Sequence, residues 1–183
     1  MIKQRIFIAL PLPETFKQEL EMVLEKEVQA LNLRWVPRQN WHLTLLAPQY
    51  WNEAETNLAI ETLRNNRKSK AFSLESEKII LAPPNKEKRM VWLVFKNSVE
   101  FFNLQKNIVN ALLGKEFNLE INLRQEKILH LTLARFDLRK TGKFKFEEKI
   151  FNQSFLADKF ELWQSVLKPE GAEYQSLASF ELL

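Results

Sequence analysis

Apolar and polar positions alternate over Ile2–Leu10, which predicts a strand stopped by Pro11 and Pro13. From Glu14 to Leu31 the apolar positions change period. Phe16, Leu20, Val23, Leu24, Val28 and Leu31 fall on one helical face. Trp35-Val36-Pro37 ends the connection, and Trp41–Leu46 reads as a second strand. Asn52 is placed to cap a helix through Ala54, Leu58, Ile60 and Leu63, closed by the polar run Asn65–Lys70. Phe72–Leu81 again has strand character. Ala82–Lys88, with Pro83-Pro84-Asn85, is a loop and the expected junction between two halves. Met90–Phe95 is a short apolar strand. Ser98 can cap a helix over Val99–Leu113, with Gly114 placed to end it. Ile128–Phe136 is a further strand and Asp137–Glu148 a charged loop or hairpin. Lys159–Leu167, a turn at Pro169-Glu170-Gly171, and Tyr174–Leu182 form a closing hairpin.

The same order occurs twice: a strand, a long amphipathic helix, then His-Leu-Thr-Leu. His42 follows Ile6 by 36 residues, and His130 follows Leu93 by 37. That repeat suggests an internal duplication in which two lobes each bring one equivalent strand to a shared site.

The tetrapeptides change the picture most. The chain has only two histidines, and they open His42-Leu43-Thr44-Leu45 and His130-Leu131-Thr132-Leu133. Agreement at three following positions has chance odds on the order of one in thousands. On a strand, His42 and Thr44 point to one face and Leu43 and Leu45 to the other; the second motif behaves alike. Facing lobes would then surround a cleft with two imidazoles and two hydroxyls. One imidazole can take a proton from water and the other can give one to a departing oxygen. The threonine hydroxyls can donate to non-bridging phosphate oxygens. Ordinary packing histidines would leave the duplicate motif unexplained. A metal site is the rival chemistry, but no Asp or Glu lies within three residues of His42. Glu126 and Asp137, the carboxylates flanking His130, do not match its face.

Composition narrows the rest. Of the 183 residues, 45% are hydrophobic and 27% charged, with 14 Phe and 5 Trp to fill a core. The absence of cysteine excludes disulfides, thiolate catalysis and cysteine-ligated zinc. A net charge of +4 leans toward an anionic partner. No apolar run reaches membrane-spanning length and the N-terminal stretch is too short for an export signal, so the cytoplasm is expected.

These residues resemble the RNA 2′,3′-cyclic phosphodiesterase (2′-5′ RNA ligase) family of the two-histidine phosphoesterase superfamily. The likeness runs through Arg5–Leu10 with Leu12-Pro13, Trp35-Val36-Pro37, Asn40–Leu45, Val91-Trp92-Leu93, His130–Arg135, and Leu162, Ser165, Gly171, Tyr174, Leu177 and Phe180. It implies an α+β fold of two pseudo-symmetric lobes, with antiparallel sheets flanking a central cleft and helices packed outside, over residues 1–183. It implies hydrolysis of an RNA terminal 2′,3′-cyclic phosphate to a 2′-phosphomonoester, without metal or cofactor. His42 would be the acid at O3′, His130 the base for water, and Thr44 and Thr132 the phosphate holders. Substrates would be RNA ends or small nucleoside cyclic phosphates, and the protein a monomer away from membranes. Other members act on 2′-5′ or other cyclic-phosphate linkages, or join RNA; a non-catalytic RNA-end binder is a further alternative. The chain departs from the family at Leu46-Ala47-Pro48-Gln49-Tyr50, where Phe-Leu-Gly is usual, and at Leu129, where Pro is usual. Arg135 matches a frequent family arginine and is a candidate substrate contact, yet strand parity puts it with Leu131 and Leu133, away from His130. Phe7 is a candidate cleft floor or base-stacking ring, with plain core as its alternative. Arg38 and the lysines at 86–88 are candidate contacts to an RNA backbone.

Overall fold

The alternating and helical runs order in the computed structural model as β1 (Gln4–Pro11), α1 (Glu14–Ala30), β2 (Arg34–Trp35), β3 (His42–Trp51), α2 (Glu53–Asn65), β4 (Phe72–Ala82) and β5 (Met90–Phe95). They continue as α3 (Val99–Leu113), β6 (His130–Arg135), α4 (Leu138–Thr141), β7 (Lys149–Ile150), β8 (Ser154–Ala157), β9 (Lys159–Lys168) and β10 (Gly171–Glu181). The structure describes residues 2–65, 69–113, 117, 119, 128–142, 144–168 and 171–183. The expected stop at Gly114, residues 66–68 of the Asn65–Lys70 run, and Pro169-Glu170 in the closing turn lie outside the described residues.

Two antiparallel sheets form. The first has the order β10-β9-β1-β3 and the second β2-β6-β5-β4-β7, with β8 also on β4. The expected junction at Ala82–Lys88 is therefore corrected. It connects β4 to β5, which are neighbours in one sheet. The lobes are not the two halves of the chain: β9 and β10 return to complete the first sheet, while β2 leaves early to extend the second along β6.

The motif strands match in detail. In the first sheet Leu10 opposes Leu43, Ala9 opposes Thr44, and Ile8 opposes Leu46, leaving Leu45 as a bulge. In the second, Leu93 opposes Leu131, Trp92 opposes Thr132, and Val91 opposes Ala134, leaving Leu133 as a bulge. Each bulged residue frees a backbone carbonyl from the ladder. The Gln105 side chain of α3 donates to the Leu45 carbonyl at 2.7 Å, and the Val36 N–H donates to the Leu133 carbonyl at 2.8 Å. This register makes Leu10, not Ile6, the counterpart of Leu93, so the first strand–helix–strand passage is five residues shorter than the second.

One core joins the sheets. Ile6, Ile8, Leu10, Leu43 and Leu45 of the first pack in one cluster with Val91, Leu93, Phe95, Leu131 and Leu133 of the second. The helices cross over. Helix α1 follows β1, yet its Phe16 meets Phe95, Phe151 and Phe155 on the second-sheet side, with ring centroids 6.0, 5.5 and 4.9 Å away. Helix α3 follows β5, yet it packs on β3 and α2. The caps are as the sequence suggests. Asn52 and Glu55 form a reciprocal capping box, at 2.9 Å from the Glu55 N–H to the Asn52 side chain and 2.7 Å from the Asn52 N–H to the Glu55 carboxylate. Ser98 Oγ accepts from the Phe101 N–H at 3.1 Å. Gly171, at φ +144°, opens β10 in a backbone region that side-chain-bearing residues rarely enter. No helix among the described residues is long and apolar enough to cross a membrane.

Candidate active site

On the faces turned away from the shared core, each sheet carries a smaller apolar cluster. Phe7, Ala9 and Trp163, with Tyr174, form one; Ala82, Met90, Trp92 and Val94, with Ile80, form the other. The motif histidines stand on these faces. Both rings are partly exposed, while Leu43 and Leu131 beneath them are 0% and 1% exposed.

Each imidazole is anchored in the same way. His42 Nδ1 lies 2.7 Å from the Asn40 carbonyl oxygen, and His130 Nδ1 lies 2.7 Å from that of Ile128. A carbonyl only accepts, so Nδ1 carries the proton in both rings and Nε2 keeps its lone pair when the ring is neutral. Thr44 Oγ1 sits 3.2 Å from His42 Nε2 and can donate to it. His42 and Thr44 thus share a face, as parity requires.

The ring environments differ. His42 is flanked by Phe7 at 5.1 Å, Trp163 at 5.3 Å and Tyr174 at 5.5 Å, in tilted or edge arrangements. His130 lies flat on Trp92, at 3.7 Å and 19°. The Trp92 indole N–H is buried and has no acceptor among the described residues. Sequence reasoning missed Trp163 and Tyr174 as neighbours of His42. Only the pairing of β9 with β1 brings them there, and no local pattern announces that pairing.

Phe7 is corrected as a substrate contact. It is 3% exposed and packed against Trp163, Tyr174 and the His42 imidazole, so it supports the histidine and offers no free face to a base. Nor does it belong to the main core. Arg135 corrects the parity argument. The Leu133 bulge adds one residue, so Arg135 opposes Met90 and its Nη1 lies 3.3 Å from Met90 Sδ, on the same face as Trp92. The face of β6 turned away from the shared core therefore reads His130, Thr132, Arg135. The matching position after the first motif is Ala47, so one lobe alone supplies a charge there. Arg38 is also corrected: its guanidinium pairs with Glu14 and Glu21 of α1. Lys88 donates to the Pro83 and Pro84 carbonyls, which turns it back on its own loop.

Burial lowers the His42 imidazole to about 4; its bond to the Asn40 carbonyl opposes this, and the charges of Arg135 and Lys17 add to it. Burial also lowers His130, opposed by the Ile128 carbonyl and assisted by Arg135. Arg135 is thus a positive charge felt by both rings. Among the described residues, no three His, Asp or Glu side chains gather as a metal would require.

These shifts fix a pH dependence. An unfolded histidine titrates near 6.5. Between that value and about 4 the unfolded chain takes up a proton that folded His42 refuses, so stability is lost as pH falls through this window. Because the chain has only two histidines, nuclear magnetic resonance can follow each ring separately. Both midpoints are expected below 6.5, His42 near 4, and both should rise when inorganic phosphate brings negative charge into the cleft. A free-protein midpoint at or above 6.5 for either ring would contradict this packing.

The LigT like Phosphoesterase family model matches residues 10–92, a span that holds the first motif and ends before the second. The RNA 2′,3′-cyclic phosphodiesterase of Thermotoga maritima is 26% identical over 180 residues, covering 94% of this chain and 92% of that protein. The protein of the same name from Archaeoglobus fulgidus is 26% identical over 184 residues, covering 97% and 99%. Among solved structures, TT0787 of Thermus thermophilus superposes with a TM-score of 0.82 at 22% identity, covering 97% of each chain. E. coli LigT complexed with 3′-AMP gives 0.80 at 19% identity, covering 98% of each chain.

Proposed function

From its similarity to the LigT-like phosphoesterases and to two proteins named RNA 2′,3′-cyclic phosphodiesterase, we propose that the chain is a two-histidine phosphoesterase that hydrolyses the 2′,3′-cyclic phosphate at an RNA end to a 2′-phosphate, using His42 and His130 as its acid–base pair. One observation carries the reading. Two imidazoles on equivalent strands are anchored through Nδ1 to the carbonyl two residues back, each with a threonine two residues on and each under the charge of Arg135. That leaves two Nε2 atoms as the proton-exchanging groups. The matched registers and bulges support reading residues 1–183 as one two-lobed domain built by duplication.

The step balances as a displacement at phosphorus. Water attacks, one imidazole Nε2 takes its proton, and the P–O3′ bond breaks. The other imidazolium gives its proton to O3′, leaving a 3′-hydroxyl and a 2′-phosphate. In the family order His130 is the base and His42 the acid. Burial keeps both rings neutral in the empty site at pH 7. The anionic diester supplies the opposite charge that lets one ring hold a proton, so substrate completes the acid. Thr44 and Thr132 hydroxyls donate to the non-bridging oxygens, where charge grows in the transition state.

The chemistry uses two nitrogen bases and no metal. Incubation with adenosine 2′,3′-cyclic phosphate in EDTA is expected to give adenosine 2′-phosphate at an undiminished rate, resolved from the 3′ isomer by chromatography. Loss of turnover on chelation, or the 3′ isomer as product, would overturn the reading.

A further inference from the structure

The sheets that carry the imidazoles also bring together a concentration of guanidinium groups, of which the hydrolytic reading uses only the charge of Arg135. Arg34 of β2 directly opposes Arg135 of β6, with Trp35 and Ala134 beside them turned toward the core. Arg89 precedes Met90, the other cross-strand neighbour of Arg135, and its carbonyl accepts from the Phe136 N–H at 2.9 Å. From the facing sheet comes Arg5, two residues before Phe7 on β1 and 2.8 Å from Ser165 Oγ. Ser165 in turn opposes Tyr174. The four arginines come from four separate segments. Among the described residues none of them pairs with a carboxylate, although nine ion pairs form elsewhere.

This arrangement is unfavourable in an empty protein. Like charges directly opposite on neighbouring strands repel. The groups that Arg135 feels, apart from Tyr174, are the cations Arg34, Arg89 and Arg5, and together with burial they lower its proton affinity. Surface arginines on a solvated face ordinarily relieve such crowding with a carboxylate or by spreading apart. Here the register holds Arg34 and Arg135 in opposition. An anion would convert the repulsion into binding, and planar guanidinium groups are the side chains best matched to phosphate oxygens.

Position says which anion. The cleft-facing residues His130, Thr132 and Arg135 oppose Val94, Trp92 and Met90, so Arg135 stands one cleft-facing pair beyond the threonine, about 7 Å further along the sheet. A step of that size is on the scale of one ribose. We propose that Arg5, Arg34, Arg89 and Arg135 form a subsite for a second phosphate, the group on O5′ of the nucleotide whose cyclic phosphate reacts. The inference rests on the reading of the imidazoles as the reacting end. It narrows the substrate to nucleotides that carry a 5′-phosphate or a 5′-phosphodiester to a preceding nucleotide.

Binding of unreactive product-like ligands tests the subsite apart from turnover. Calorimetry at fixed ionic strength would compare adenosine 2′-phosphate, adenosine 2′,5′-bisphosphate and a dinucleotide ending in a 2′-phosphate. The native protein is expected to bind at least one of the latter two about 10-fold more tightly than the first, the gain of one well-placed charged contact. Preference for the bisphosphate alone assigns a 5′-monophosphate, and preference for the dinucleotide assigns an RNA chain. Arg34→Gln and Arg89→Gln should each erase most of that preference while adenosine 2′-phosphate binding stays within about 2-fold. Lys106→Gln, an equal charge loss on exposed α3, should keep the preference. Equal affinity for all three ligands, or a preference that survives both arginine substitutions, overturns the subsite. Failure of the native protein to turn over any cyclic phosphate would instead overturn the hydrolase reading.

Discussion

Alanine at His42 or at His130 is expected to lower kcat/KM on a nucleoside 2′,3′-cyclic phosphate by about 10²–10⁴-fold, the range of a single positioned acid or base. In the proposed reaction each ring carries one half of a proton relay, so the double variant should be little slower than either single one. The fold should survive both changes. Both rings stand on the cleft faces, outside the shared core, with one side open to solvent. Circular dichroism and Tm would establish that the loss is chemical. Substantial activity in either variant would remove the acid–base pair from the mechanism. A log-additive double variant would show that the two rings contribute independently and not as one coupled relay.

The largest expected loss of stability lies far from the cleft. Phe16→Ala should cost about 3–5 kcal/mol, because a buried ring is lost and the space it leaves is only partly refilled. Phe16 is 3% exposed, and it joins α1 to Phe95, Phe151 and Phe155. Urea unfolding should show a lower midpoint in a single transition with an unchanged m value, since one core spans both sheets. A loss below about 1 kcal/mol would mean that α1 is held by something else. Two separated transitions would mean that the lobes unfold independently.

Much of this was legible along the chain. Both motifs, their parity over Leu43 and Leu131, and the caps at Asn52 and Ser98 follow from local rules, and the structure shows each. What escaped was the consequence of a single inserted residue. The Leu133 bulge turns Arg135 from the core side to the cleft side, and no glycine or proline at that point marks it. Connectivity escaped for a different reason. Ala82–Lys88 has the composition of a linker, yet β4 and β5 are sheet neighbours, and loop composition carries no information about which strands pair. Trp163 and Tyr174 reach His42 only through the return of β9 to β1, a contact between segments over a hundred residues apart. Arg38 looked like a free cation because its partners Glu14 and Glu21 lie on a helix whose docking no local pattern sets.

The identical Nδ1 anchoring has a consequence for the catalytic cycle. With that nitrogen committed to a backbone carbonyl in both rings, every exchangeable proton must enter and leave through Nε2. In the proposed reaction, one round of ring opening would therefore end with the charge moved from one imidazole to the other, in mirror image of how it began. A second round has to wait for solvent to reset the pair. A 2′-phosphate product still in place meets a site already charged for the backward direction, so re-closure of the ring competes with release.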